Sequence, residues 1–285
     1  VAGGIEEFTM PGYNRLRLPA DYQALSGLDA RGFAWEWLRR NADFRSIWHS
    51  ASPSARRVGA SVEAARRSAR IIIAMAQHPL AGGGPLGVSP FAPDPDTAAT
   101  AAPAVAWKPE LDASILTIVR PVPWARPIGD LRFLVERWGD RVFRIGSPGG
   151  THLLIRRHGA PELSLWLPAG LSPPKGGGFG IYLHPDTGHA ARIQAAAMFR
   201  RAIGRGPPLR FAPYAHAHRH AAMLCMHDLA RDGASLRDIA ELLLDPMPPD
   251  WRASSERSDL RRLLDAGQDL VAGGYRRLLG PRPAS

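Results

Sequence analysis

The serines and arginines around a predicted C-terminal helix are the residues of this sequence with the clearest binding chemistry. An arginine can donate two hydrogen bonds to one guanine, and a serine hydroxyl can bond several bases. The free N–H groups at a helix start also bind phosphate. These side chains therefore favour contact with a nucleic acid. The candidate contact residues are Arg237, Arg252, Ser254, Ser255, Arg257, Ser258, Arg261 and Arg262.

A supporting helix is predicted between Asp232 and Asp245. Ser235 stands three residues before Asp238, which suits a capping arrangement at the helix start. Gly233 is suited to end the preceding helix. Taken alone, the segment is typical of any capped surface helix. Its apolar residues recur at the spacing of one helical face: Leu236, Ile239, Ala240 and Leu243.

The contact helix itself is predicted from Ser254 to Ala272, after a segment with three prolines that ends the supporting helix. Its arginines fall around the N-terminal part of one face, as a recognition helix requires. Asp259 and Asp265 partly cancel their charge, so a solvated basic face is the alternative. We expect a helix-turn-helix in which the second helix contacts the bases. The opposite, buried stripe of this helix contains Leu260, Leu263, Leu264, Gly267 and Val271.

The rest of the chain predicts an α+β fold with a helical unit at each end. Residues 19–50 indicate two short helices dense in aromatic residues, which favours core packing. Residues 58–75 are compatible with a further helix, and residues 81–109 have the Gly, Pro, Ala and Thr content of a linker. Four short segments between turn signals predict a small antiparallel β-meander: Val142–Ile145, Thr151–Arg156, Glu162–Leu167 and Phe179–Leu183.

Helical periodicity returns after the predicted meander. One helix is predicted from Asp186 or Thr187 to Ile203, and a second from Ala215 to Arg231. The chain therefore divides into four predicted regions: an N-terminal helical domain (1–52), a helix with a linker (53–109), an antiparallel β region (110–184) and a helical DNA-binding domain with a helix-turn-helix (185–285).

Charge and composition agree with a nucleic-acid partner. The formal net charge is +10 and the pI about 10.8, and an excess of positive charge attracts polyanions. Almost all basic residues are arginine, a bias that genome composition can also produce. A single cysteine, Cys225, excludes an internal disulfide and is compatible with a reducing cytoplasm. No run approaches the length of a membrane span.

The segment from about Phe199 to Leu279 resembles the RovC-like transcription factor DNA-binding domain, a bacterial family named for a regulator of type VI secretion. The N-terminal part resembles the transcriptional-regulator-like domain that often precedes it, and Phe91–Pro95 fits the usual spacer. The C-terminal resemblance rests on Asp232–Ala240, Trp251, Ser254–Ser255, Leu260–Leu263, Gly267, Leu270–Val271 and Gly273–Leu279. The N-terminal one rests on Tyr22, Leu25, Leu28–Asp29, Gly32–Asn41 and Phe44.

The resemblance implies a cytoplasmic proteobacterial regulator that binds double-stranded DNA and activates transcription, often encoded on integrative and conjugative elements. A homo-oligomer is expected because single helix-turn-helix units bind weakly, and RNA polymerase is a candidate partner. The sequence departs from the family at His216–His220, where relatives tend to carry several arginines. A neutral histidine cannot neutralise a phosphate, and such contact would strengthen only below about pH 6.5.

Other binding and catalytic chemistries fit the sequence poorly. His216 and His220 share a helical face but supply only two of the four ligands of structural zinc, so exposed histidines beside a core Cys225 are the expectation. The glycines of Pro174–Gly180 follow Lys175 rather than precede it, unlike a P-loop. We therefore expect no enzyme, metal or cofactor. The alternative function is a protein-interaction module or antiactivator with the same fold and little DNA affinity.

Overall fold

A computed structural model describes residues 16–50, 73–75, 86–88, 92–100, 105–125, 129–131, 142–147, 149–157, 160–171, 173, 177–204 and 214–280. The helices of this part are α1 (Ala20–Gln23), α2 (Ala30–Leu38), α3 (Ala42–Ser50), α4 (His189–Ala202), α5 (Ala217–Arg231), α6 (Leu236–Leu243) and α7 (Ser255–Val271). The strands are β1 (Ile73–Met75), β2 (Leu116–Val119), β3 (Val142–Ser147), β4 (Gly150–Arg157), β5 (Ala160–Pro168) and β6 (Gly180–Tyr182). Short 3₁₀ helices follow α1 (Ala24–Gly27) and α7 (Gly274–Leu278).

The fold is α+β, as predicted, with a central sheet between two helical ends. The sheet has the strand order β1-β3-β4-β5-β2-β6. The expected antiparallel meander is present in β3, β4 and β5. The sheet as a whole is mixed, because β1 pairs parallel with β3 and β2 pairs parallel with β5.

Two expectations about the sheet need correction. The strand predicted at Phe179–Leu183 forms, but it pairs with β2 rather than continuing the meander. Within the helix expected over residues 58–75, Ile73–Met75 is a strand, while residues 58–72 lie outside the described part. Both differences are long-range pairings, which depend on tertiary neighbours more than on local propensity.

The sheet packs on both faces. On one face, aliphatic side chains of β2, β4 and β5 pack against Ala195 and Phe199 of α4. The other face carries His152 and Ser164, both almost fully buried, beside Trp166. Ser164 accepts a 2.7 Å hydrogen bond from Arg31 of α2. The second face is therefore joined to the helical unit partly through polar groups.

The helices from both ends of the chain share one hydrophobic core. Asp29 caps α2, its side chain accepting from the Gly32 N–H, and every residue from Phe33 to Leu38 is buried. A helix buried on all sides needs partners around its whole circumference. These partners include α5, α7 and the 3₁₀ helix Gly274–Leu278, while α6 packs in turn on α5 and α7. The N-terminal unit thus contributes directly to the packing of the C-terminal helices.

Candidate nucleic-acid interface

Helix α6 forms as the capping pattern predicts. The Ser235 hydroxyl accepts from the Asp238 N–H at 3.3 Å, and the Asp238 carboxylate accepts from the Ser235 N–H at 2.8 Å. These hydrogen bonds lower the pKa of Asp238. Gly233, with a φ of +97°, ends α5 in a conformation that favours glycine. The inner face of α6 buries Ile239, Ala240 and Leu243.

The outer face of α6 offers little positive charge. Arg237 donates to the Glu241 carboxylate at 2.8 Å, an exposed i,i+4 pair. Asp238 and Glu241 are exposed beside Leu242, which is about half exposed. Because carboxylates repel phosphates, the outer face of α6 is poorly suited to contact DNA. It is suited instead to support the neighbouring helix α7. Arg237 is the predicted contact residue that lies on α6, and its charge is already paired with that of Glu241.

Helix α7 begins where the sequence predicts. Ser254 is its N-cap, and the Ser254 hydroxyl accepts from the Arg257 N–H at 3.2 Å. The same hydroxyl donates to the Trp251 carbonyl at 3.2 Å, and Trp251 is buried in the core. The cap therefore fixes the helix start to the packed interior. Residues on the inner face that become buried are Leu260, Leu263, Gly267 and Leu270.

The remaining predicted contact residues lie on or beside the exposed start of α7. Ser255 forms a hydrogen bond with Glu256 at 3.2 Å, and Arg262 donates to Asp259 at 2.5 Å. Arg257 donates to the Arg252 carbonyl at 3.2 Å. All of them have exposed side chains in the structure: Arg252, Ser255, Arg257, Ser258, Arg261 and Arg262.

Three of these arginines have no acidic partner within the described residues: Arg252, Arg257 and Arg261. Many other exposed arginines of the described chain do have one, as in the pairs Arg45–Asp96 and Arg277–Asp269. An unpaired arginine can neutralise a phosphate or bond a base without breaking an existing ion pair. The first turns of α7 are therefore a concentrated site of available positive charge.

The lengths of the connections bear on the expected helix-turn-helix. Helices α5 and α6 are joined by the four residues Asp232–Ser235, close to the three or four of a standard turn. Helices α6 and α7 are joined by a longer loop, Leu244–Ser254, in which Trp251 is buried. The arrangement departs from a two-helix motif with a short turn, while α7 keeps an exposed N-terminal face.

One histidine in the first turn of α5 differs from the sequence expectation. His220 is buried rather than exposed, because Phe33 and Trp37 of α2 pack against its ring. The Trp37 indole donates to His220 Nδ1 at 3.3 Å, and Tyr214 lies 3.2 Å from Nε2. Burial lowers the pKa of His220 to about 4. His220 is therefore a neutral part of the interface between α2 and α5.

Cys225 is fully buried and free, which confirms the prediction that it lies in the core. Burial raises the pKa of its thiol to about 11, which suppresses the reactive thiolate. The described residues contain no group of three or more His, Cys, Asp or Glu side chains that could hold a metal ion. Across the same part of the chain, no helix combines the length and the apolar character needed to cross a membrane.

Sequence patterns did not reveal the residues that hold α5 and α7 in place. Arg40 donates to both carboxylate oxygens of Asp228, at 2.8 and 2.6 Å. Asn41 donates from Nδ2 to the Val271 carbonyl at 2.8 Å. The signal available was an arginine pair, Arg39–Arg40, directly after an apolar helix. This pair indicates a charged group next to the core, but it does not identify the residue that the charge pairs with.

Exposed arginines at the start of a helix, as on α7, are a common feature of DNA-binding proteins. Residues 183–280 match the family described as "T6SS, Transcription factor, DNA binding domain". Residues 15–70 match the "Proteobacterial transcriptional regulator-like domain". The two matches indicate a transcriptional regulator with a C-terminal DNA-binding domain, and they confirm the resemblance seen in the sequence. No curated protein and no solved structure matches the chain.

Proposed function

We propose that this regulator binds specific duplex DNA sequences through the first turns of α7 and acts as a transcriptional activator. The observation that carries the proposal is the cluster of exposed arginines without acidic partners in the described chain, Arg252, Arg257 and Arg261. Arginine is the side chain most often used to read guanine in the major groove. Ser255 and Ser258 add exposed hydroxyl groups at the same helix end, whereas the Ser254 hydroxyl is engaged in the helix cap.

In this proposal α6 is the supporting helix and α7 is the recognition helix of a helix-turn-helix. Helix α7 has 17 residues, which corresponds to about 25 Å. Its C-terminal half is anchored in the core, and its N-terminal turns are free to enter a groove about 12 Å wide. Helix α6 packs behind it and keeps its acidic outer face off the phosphates. Arg237 and Arg262 are secondary contacts, since each would first leave a carboxylate partner.

The remaining proposals concern the oligomeric state, the cellular location, the contact with RNA polymerase and the genetic context. We propose that the regulator is cytoplasmic and assembles as a homo-oligomer, because paired half-sites multiply the weak affinity of a single helix. Activation implies a contact with RNA polymerase. A location of the gene on a mobile genetic element is proposed from the resemblance alone, and conjugation genes nearby would support it.

The test removes two of the available charges together. Arg257→Ala with Arg261→Ala should weaken binding to DNA fragments bound in the native host by at least about tenfold, since each base contact is worth about 1–3 kcal/mol. The slope of log affinity against log salt should also become shallower by up to about 2, because about 0.9 counterions are released per phosphate contact. Gel shifts over a salt series measure both quantities.

A charge-matched control separates local contact from net charge. Arg45→Ala with Arg192→Ala removes the same charge from arginines that already pair with Asp96 and Asp186. This control should retain nearly wild-type affinity and salt dependence. Equal losses in the two double variants would contradict the assignment to α7. Absence of salt-dependent DNA binding by the wild-type protein would favour the protein-interaction module instead.

A further inference from the structure

A tryptophan from the N-terminal unit lies where α5 and α7 cross. A Cβ added at Gly267 of α7 would lie 3.4 Å from Trp37 Cη2 and 3.5 Å from the Met223 carbonyl of α5. Trp37 is fully buried and donates from its indole to His220 of α5. Three helices therefore meet at a glycine, so a shift of α2 must move α5 or α7.

A buried ion pair fixes the same unit to α5. Arg40 donates three hydrogen bonds to Asp228, two from Nε and one from Nη2, and it also donates from Nη1 to Glu36 at 2.6 Å. The Tyr22 hydroxyl donates to Asp228 at 2.8 Å. The Arg40 and Asp228 side chains are only 7% and 13% exposed. A bidentate pair restricts both distance and angle, so it holds α2 and α5 in one orientation.

The hydrogen bonds of Asp228 outweigh the effect of its burial. Burial alone would raise the pKa of this carboxyl, but the hydrogen bonds and charge of Arg40, together with the Tyr22 hydroxyl, keep the pKa below its ordinary value. Asp228 is therefore an ionised group held inside the protein. Removing its charge leaves Arg40 with one carboxylate partner, Glu36, in place of two.

The far end of α7 is tied to the N-terminal unit as well. Asn41 donates to the Val271 carbonyl in the last turn of α7. Tyr275, in the 3₁₀ helix that follows, donates to the Leu86 carbonyl at 2.7 Å. The end of α7 is thus held by these two hydrogen bonds, and its start is held by the Ser254 cap, which bonds the buried Trp251. The side chains of the first turns stay exposed, and their direction depends on all of these anchors.

We propose that the N-terminal unit is a positioning platform for DNA recognition, in which Arg40 and Tyr22 hold Asp228 of α5 and thereby set the direction in which α7 projects. The inference rests on the proposed DNA-contact role of α7. It assigns Arg40 and Asp228 as positioning residues that never touch DNA. Base readout needs a fixed helix angle, whereas non-specific attraction needs only the exposed arginines.

The test compares specific with non-specific affinity in the full-length protein. The specific probe is a duplex selected by the wild-type protein from a random-sequence library, and the non-specific probe is its scrambled version. Asp228→Asn retains the side-chain size and should lower the ratio of the two affinities by about tenfold. Affinity for the scrambled duplex should stay within about twofold, because the α7 surface is unchanged. Measurements at 10 °C on protein shown by circular dichroism to be folded exclude global unfolding.

The matched control is Asp96→Asn. It makes the same chemical change in the exposed pair between Arg45 and Asp96, and the affinity ratio should remain that of the wild type. If Asp228→Asn fails to fold, Tyr22→Phe removes a single hydrogen bond from Asp228 and should lower the ratio about threefold. A folded Asp228→Asn or Tyr22→Phe protein with an unchanged ratio would overturn the positioning role.

The outcome also distinguishes this inference from the proposed function. A wild-type protein that selects no sequence, with a ratio near one, would overturn the proposed function and the platform with it. A wild-type protein that selects a sequence through Arg257 and Arg261, while Asp228→Asn leaves the ratio intact, would overturn the platform alone.

Discussion

Two buried histidines show how individual side chains set the response of this protein to acid. Burial is the main cause that lowers the pKa of His152 and of His220, in each case to about 4. Nearby positive charge adds to the effect, from Arg31 for His152 and from Arg219 and His216 for His220. Both histidines are therefore neutral in the folded protein at a pH where the unfolded chain would protonate them.

This difference predicts an acid-sensitive fold. Above about pH 6.5 both states are neutral and the histidines add no pH dependence. Below that value the unfolded chain binds more protons, so the free energy of unfolding falls until the folded-state pKa of about 4 is reached. At pH 5 the loss should be about 2 kcal/mol for each histidine. Urea denaturation at pH 7 and pH 5 measures it.

A variant of His152 isolates one of the two contributions. The ring of His152 packs on Trp166 at a centroid distance of 4.4 Å, and its Nδ1 atom has no hydrogen-bond partner among the described residues. His152→Phe keeps the packing and removes the titration, so the acid-induced loss should be about halved. His49→Phe, at an exposed histidine of α3, should leave it unchanged. An undiminished loss in His152→Phe would show that other groups cause it.

At the scale of elements, the start of α7 depends on one serine. Ser254 caps the helix and bonds the Trp251 carbonyl, whereas Ser255 is exposed and bonds only Glu256. Ser254→Ala should therefore lower the free energy of unfolding by about 1 kcal/mol. Ser255→Ala, the same substitution one residue later, should change it by less than about 0.5 kcal/mol. Thermal unfolding followed by circular dichroism compares the two, and equal effects would argue against the cap.

At the same scale, local patterns predicted the helices better than the sheet. The cap at Ser235, the glycine at Gly233 and the apolar stripe of α6 are all short-range features, and they are present where the sequence placed them. Strand β2 was missed, and its pairing with β5 and β6 was not expected. A helix satisfies its backbone within the segment, while a strand depends on partners that are distant in sequence.

For the whole molecule, the shared core predicts one cooperative unfolding unit for the two helical ends. Residues of α2, α5, α6 and α7 belong to the same cluster, so losing one side exposes apolar surface on the other. Tryptophan fluorescence, reporting on Trp35 and Trp37 among others, and far-ultraviolet circular dichroism should show coincident urea transitions. Two separated transitions would show that the N-terminal unit folds independently.

The sequence by itself determined the fold class and the starts of α6 and α7, and it pointed to the residues that we propose contact DNA. It did so because capping, periodicity and side-chain type are properties of neighbouring residues. Only the tertiary structure decided which arginines are already paired, that His220 is buried, and that Arg40 meets Asp228. The burial of His220 and the pairing of Arg40 depend on contacts between residues nearly two hundred positions apart. No local pattern encodes so distant a partner, because only the fold brings the two residues together.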